Sequence, residues 1–237
     1  MSDLKRCVLV TGASSGIGRA VARRLLGLGH EVIGVSRDPQ QFQTPHAGFY
    51  SMALEMADAD QIEVAARHML TDYPQLDAVV FAAGFGRFGS LEQFSNSQIQ
   101  DLLQVNLIGQ IQLSRALLPH LKQQAHANLI YLGSEAALKG TRQGSVYCAS
   151  KFALRGFSQA LREECGKSSV RVSLINPGMV DTAFFETLSF APGQQSGQAL
   201  HAEDIADTVQ YILQAGTHVV IDEVNLSPAS KVIDFKK

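Results

Sequence analysis

The chain of 237 residues has only three cysteines, Cys7, Cys148 and Cys165. So odd and sparse a set excludes a disulfide scaffold and reads as reduced packing residues of a cytoplasmic protein. The seven histidines include no pair four residues apart and none beside a cysteine, so no metal site is expected. No apolar run approaches the ~18 residues that span a bilayer, which argues against a membrane protein. Residues 1–6 lead straight into an apolar run and leave no room for a signal peptide. Neither sign of charge dominates: a net charge of −2 offers nothing to a nucleic acid or an acidic membrane. Repeats, low-complexity tracts and linkers are also missing, so one domain over residues 1–237 is the economical reading.

What is there describes an ordinary globular protein, 46% hydrophobic and 18% charged, long enough to bury a substantial core. Cys7-Val8-Leu9-Val10 is a short apolar run that predicts a buried strand. It runs into Thr11-Gly12-Ala13-Ser14-Ser15-Gly16-Ile17-Gly18. Residues 19–28 then place apolar side chains at helical spacing, Gly29 is a plausible stop, and residues 31–36 predict a second strand. Strand, glycine turn, helix and strand make one βαβ unit that binds a dinucleotide. The glycines allow a tight turn, backbone approach to a pyrophosphate, and close helix–strand packing. The helix N-terminus adds free N–H groups and partial positive charge.

Downstream, strands are predicted over residues 49–54, 76–83, 127–133, 170–175 and 218–226. Helices are predicted over 58–73, 97–124 with Pro119 bending or interrupting it, 144–166 and 202–214. Residues 183–200 are poorly patterned. Alternating strands and helices predict a single-domain doubly wound α/β (Rossmann) parallel sheet of about seven strands, helices on both faces. Right-handed crossovers then gather the segments that follow the strands along one edge, where ligands bind.

Tyr147 and Lys151 lie four residues apart, with Ser134 thirteen positions earlier. On a helix the spacing stacks phenol and ammonium on one face. A nearby positive charge lowers a phenol's pKa and poises it as a general acid or base. The same spacing is also a common surface pair. At the end of the second strand, an acidic residue would bind a ribose hydroxyl and repel a 2′-phosphate. Ser36 removes that repulsion and Arg37 can pair with phosphate. NADP (NADPH) is therefore expected over NAD, with Ser14 and Ser15 adding hydroxyl contacts. Against this, Arg37 could be an ordinary surface arginine whose charge Asp38 absorbs.

Thr11 with Gly12-x-x-x-Gly16-x-Gly18 resembles the short-chain dehydrogenase/reductase superfamily, and so do the later motifs in order. Val105-Asn106-Leu107 resembles its helix asparagine. Ser134, Tyr147 and Lys151 resemble its catalytic residues, and Asn176-Pro177-Gly178-Met179-Val180-Asp181-Thr182 its nicotinamide loop. The resemblance implies hydride transfer between a nicotinamide and a small carbonyl or alcohol. Tyr147 would move the proton, and Lys151 would lower its pKa and hold the ribose. Ser134 would bind the substrate oxygen, and Asn106 would position a water linking Lys151 to solvent. Glu55 and Met56 would bracket adenine. Ala82, Ala83 and Gly84 would let the cofactor approach, with Ile17 of the glycine turn also in contact. Pro177, Gly178, Val180 and Thr182 would hold the carboxamide side. Residues 183–200, with Phe184, Phe185, Leu188 and Phe190, would form a substrate lid. Phe85, Arg87, Phe88 and Arg142 near the mouth could bind a carboxylate or sit in solvent.

Blander roles stay open. Ser134 could be a loop serine, Asn106 a buried asparagine bonded to backbone, and Thr182 a helix N-cap. The family usually carries two asparagines where this chain has Phe81 and Ala82, so any hydrogen bonds they supply must be absent or replaced. A homodimer or homotetramer through the helices of Asn106 and Tyr147 is implied. A specialist for 3-oxoacyl or 3-hydroxy-acid substrates and a non-catalytic NADP-sensing regulator are the alternatives.

Overall fold

A computed structural model describes residues 5–42 and 44–236. Residues 1–4, where a signal peptide was argued against, lie outside the described residues, as do Gln43 and the terminal Lys237. The elements run β1 (Cys7–Thr11), α1 (Gly16–Gly27), β2 (Glu31–Ser36), β3 (Phe49–Ala53), α2 (Ala59–Asp72), β4 (Leu76–Phe81), α3 (Asn96–Leu103), α4 (Gly109–Leu121), β5 (Ala127–Leu132), α5 (Ser145–Cys165), β6 (Val170–Pro177), β7 (Phe190–Pro192), α6 (Ala202–Gln214), β8 (Glu223–Leu226) and β9 (Ile233–Phe235).

Seven strands form one sheet in the order β3-β2-β1-β4-β5-β6-β8, every neighbouring pair parallel. This is the expected doubly wound sheet. Strand periodicity sends alternate residues to opposite faces. Val8 and Val10 pack with Val21 and Leu25 of α1 and Val209 of α6. Leu9 packs on the other side with Ile62 and Met69 of α2 and Leu113 and Leu117 of α4. The order reverses between β1 and β4, so a crevice opens where the segments after these strands diverge. At the opposite edge Arg6 donates to Asp77 (2.6 Å) and Asn128 (3.0 Å), pinning the starts of β1, β4 and β5 far from that crevice.

Three expectations are corrected. The helix over 97–124 is broken: after α3, residues 104–108 form a π-helical turn, marked by Gly109 N donating to Gln104 O, before α4 begins. The looser turn lets Gly109 pass Met56, whose carbonyl would lie 2.0 Å from a Cβ there. Pro119 stands in the last turn of α4, and the helix stops two residues later. The last strand of the sheet is only Glu223–Leu226, because its register with β6 starts at Leu174 opposite Glu223. Within the poorly patterned segment, β7 pairs antiparallel with β9, Phe190 opposite Phe235. Three-residue strands some forty positions apart leave no local period to read.

Candidate active site

The glycine turn crosses the crevice at its narrowest point. Gly12 has φ +68°, and a Cβ on it would meet the Ala83 backbone at 3.0 Å. A Cβ on Gly18 would lie 2.3 Å from Gly12 O, so neither position tolerates a side chain. Ser15 caps α1 with no side-chain hydrogen bond, leaving the first-turn amides facing the crevice. Gly16 faces Thr182 across the gap, at 3.5 Å for a Cβ. This bare cradle at a helix N-terminus fits a dinucleotide pyrophosphate. Ile17, Ala82, Ala83, Gly84, Pro177, Gly178, Val180 and Thr182 line one cavity of about 420 Å³ together with Ser134, Tyr147 and Lys151. Thr182 also caps a single turn at Ala183–Phe185, accepting from Phe184 N at 3.4 Å. The capping role and a place on the cavity wall coexist.

At the end of β2, Arg37 is exposed and makes no hydrogen bond or ion pair among the described residues. Asp38 forms no ion pair with it among the described residues; its carboxylate accepts from Gln40 N at 3.0 Å. Arg19 lies nearby, donating to Ser14 O and stacking over Phe42. Glu55 accepts from Ala57 N (3.1 Å), and the Met56 side chain joins the core, so the pair offers mainly backbone to a base.

At the end of β4, Phe81 is buried and stacked on Tyr131, with centroids 4.5 Å apart. Where the asparagines are missing, two other residues hold the loop. Ala83 N donates to Thr11 Oγ1 (2.9 Å), and Ala83 O accepts from Gln110 Nε2 (3.1 Å). The same amide donates to Asn106 O (3.1 Å). Gln110 is completely buried. It lies one helical turn past Asn106, a spacing visible in the sequence, yet glutamine there signalled nothing. Gln110→Glu keeps the shape but deletes both donors and sets a carboxylate against two carbonyls. It is expected to cost about 3 kcal/mol at neutral pH, read as a lower urea midpoint; an unmoved midpoint would refute the bridge.

Asn106, also completely buried, sits in the π-helical turn, where backbone bonding is irregular and functional residues recur. Its amide clasps Phe85, accepting from Phe85 N (3.0 Å) and donating to Phe85 O (2.9 Å). Its side chain thus bonds to backbone and shapes the loop, with Ser150 Oγ as a further partner at 3.5 Å. Gly84 lies between it and Lys151, with Asn106 Oδ1 and Lys151 Nζ at 3.1 and 3.9 Å from a Cβ position.

On α5, Tyr147 and Lys151 are both buried, and Lys151 Nζ is 5.9 Å from the tyrosine ring centroid. Nζ donates to Leu132 O at 2.9 Å, a backbone partner that no residue pattern announces. Burial lowers the Lys151 pKa to about 8. The tyrosine departs from expectation: its pKa is raised to about 12. Burial is the main cause; hydrogen bonding to Ser134 opposes it, and Cys148 and Glu135 add to it. The ammonium sits beside the ring and bonds elsewhere, so it does not offset the desolvation of a phenolate. Ser134 also accepts from Ala136 N (3.1 Å), and its own N–H donates to Asn176 Oδ1 (3.2 Å), which fixes it beneath the phenol.

The lysine shift carries a stability consequence. Below pH 8 both folded and unfolded chains hold its proton, and the cost of burying the charge is fully present. Between about 8 and the ordinary 10.5 only the unfolded chain holds it, so stability rises with pH. Against Lys151→Met, the wild type should gain roughly 2–3 kcal/mol between about pH 7 and pH 10 in urea unfolding. A constant difference between the two proteins would mean an unshifted lysine.

The substrate side is walled by phenylalanines. Phe88 and Phe184 have centroids 5.0 and 6.2 Å from Tyr147, and Phe190 lies 5.0 Å from Phe88. Phe88 thus turns inward, while Arg142 stays exposed on the rim. Gln143, before α5, has φ +58° in the left-handed region, and its carbonyl accepts from Gly89 N (2.7 Å), tying the two rim loops together. Ile233 and Phe235 of β9 complete the wall; the sequence alone placed them in an uninterpreted tail. Cys7, Cys148 and Cys165 are free and buried. Among the described residues no group of three metal-ligating side chains occurs, and no helix is long and apolar enough to cross a membrane.

Known proteins resemble this chain in sequence and in fold. The short chain dehydrogenase family model matches residues 6–191. An uncharacterized oxidoreductase of Staphylococcus epidermidis is 30% identical over 231 residues, covering 94% of this chain and 97% of that protein. An alcohol dehydrogenase from the archaeon Thermococcus sibiricus, complexed with 5-hydroxy-NADP, superposes with a TM-score of 0.86 at 26% identity, covering 95% of this chain and 97% of that one. A metagenomic short-chain oxidoreductase in complex with NADP gives 0.81 at 30% identity, covering 97% and 100%.

Proposed function

The chain belongs to the short-chain dehydrogenase family of oxidoreductases, and on that premise we propose that it is an NADP(H)-dependent reductase of carbonyl compounds with Tyr147 as proton donor. One observation carries the reading: Tyr147, Ser134 and Lys151 converge on the cavity that the glycine turn and Thr182 also line. The nicotinamide, when bound, supplies the hydride. Tyr147 donates its hydroxyl proton to the carbonyl oxygen as negative charge develops there. Ser134 holds the same oxygen. Lys151, which here donates to Leu132 O, would hold a ribose hydroxyl, and Pro177, Gly178, Val180 and Thr182 would hold the carboxamide side. A phenol with a pKa of about 12 keeps its proton at neutral pH.

The cofactor preference rests on Arg37, unpaired among the described residues, on Ser36 in place of a carboxylate, and on the 5-hydroxy-NADP and NADP held by the two structural relatives. Residues 183–200 act as a substrate lid on a single catalytic domain. A cytoplasmic location accords with three free, buried thiols. Homo-oligomerisation through α5 accords with its outer face, where Phe152 is 44% exposed beside Ala153, Gly156 and Ala160. The reading is tested by following NADPH oxidation with aldehydes, diketones, cyclic ketones and 3-oxo acids. Turnover that depends on Tyr147 is expected; tight NADPH binding with no carbonyl reduced would favour a sensing regulator instead.

A further inference from the structure

We infer that the pocket above Tyr147 selects a carbonyl compound whose body is bulky, apolar and uncharged, an aryl or branched-alkyl ketone or aldehyde, and that the C-terminal strand β9 is part of the selecting wall. The inference rests on the reductase reading and names its substrate class.

The walls come first. Phe88 and Phe184 flank the Tyr147 ring. Phe190 meets Phe88 edge-on at 85°, and Phe185 lies 5.8 Å from Phe190. Met179 and Leu188 pack behind them. A substrate carbonyl that reaches the tyrosine hydroxyl must place its remaining atoms among these rings, which favour another ring or a branched alkyl group.

The charges come second. Lys231 is paired with Glu135. Lys236 donates to the carbonyls of Phe185 and Glu186. Lys151 is directed at Leu132 O below the phenol. Among the described residues that line the cavity, Arg142 is the remaining cation, and it is exposed on the rim, where water screens it. A carboxylate beside the reacting carbonyl would be stripped of water against phenyl rings, and Lys231, the cation paired with Glu135 of the wall, is already taken by it. That arrangement opposes a 3-oxo or 3-hydroxy acid.

The strap comes third. β9 is held on β7 by Phe190–Phe235, Ala191–Asp234 and Pro192–Ile233 pairing, and Lys236 N donates to Ser189 O at 2.8 Å. The pairing sets Ile233 and Phe235 at the cavity mouth, 44% and 77% exposed. An apolar body in the pocket covers both, gaining from surface that the free protein leaves in water.

The test compares substrates that share one phenyl ketone, 3-oxo-3-phenylpropanoate and its ethyl ester, which removes the charge and adds an ethyl group, with acetoacetate as the small acid, in NADPH oxidation by the full chain. The ester should exceed both acids in kcat/KM by about 100-fold. Phe235→Ala removes a side chain that carries little of the core. It should raise KM for the ester about 10-fold with the Kd for NADPH unchanged. Equal or better use of either acid overturns the inference while leaving the reductase reading intact, as does an unchanged KM in Phe235→Ala. Failure to reduce any carbonyl overturns both.

Discussion

Tyr147→Phe is expected to lower kcat for carbonyl reduction by about 10²- to 10⁴-fold while the Kd for NADPH stays within about twofold. The substitution keeps the ring, and with it the contacts to Phe88 at 5.0 Å and Phe184 at 6.2 Å and the lysine at 5.9 Å from the centroid. It removes only the hydroxyl and its hydrogen bond to Ser134. The hydroxyl is already buried, and deleting it relieves as much desolvation as it loses in bonding, so folding should change little. A loss in kcat without a loss in cofactor affinity is the signature of a group that acts on developing charge. Single-turnover measurements with bound NADPH read the chemical step directly. A rate within about threefold of wild type would sink the proton-donor role.

Arg37→Ala is expected to raise the Kd for NADPH about 10- to 100-fold, the worth of one charge-assisted hydrogen bond to phosphate, and to leave NADH binding unchanged. The structural argument is one of disposition. Ser36 presents no carboxylate, Asp38 is engaged with Gln40 N at 3.0 Å, and the exposed guanidinium has no competing partner among the described residues. Exposure also means screening, so the discrimination should shrink as salt rises. Arg19, which donates to Ser14 O in the glycine turn and lies over Phe42, is a second guanidinium able to retain part of the affinity. Fluorescence titration of both cofactors against wild type and variant measures the effect. Wild-type protein that binds NADH as tightly as NADPH would end the argument before the variant is made.

Much of the site was legible because its signals are local. The glycine turn is written in residues 12–18, since a positive φ at Gly12 and a 2.3 Å approach at Gly18 admit no other residue type. The apolar runs of β1, β4 and β5 announce strands buried on both faces. The four-residue step from Tyr147 to Lys151 places both on the buried face of α5. Asn106 was found by pattern, but its surroundings were not. A π-helical turn has no composition of its own, and the clasp on Phe85 joins residues twenty-one apart. Gln110 was missed although it stands one turn from Asn106. Only the packed loop after β4 gives a buried amide two carbonyls to hold.

The sequence by itself determined the βαβ start, the alternation that makes a parallel sheet, the edge where the strand ends gather, and the residues that face each other there. These follow from backbone sterics and from periods of two and 3.6 residues, which act over a few positions. Tertiary structure alone decided the energetics. Whether a charge beside Tyr147 lowers its pKa depends on how far burial outweighs attraction, and burial won, at about 12. Whether Arg37 is free depends on where Asp38 turns. Whether a C-terminal strand walls the substrate depends on pairing across some forty residues. Each is settled by desolvation and contact between distant segments, which no local pattern records.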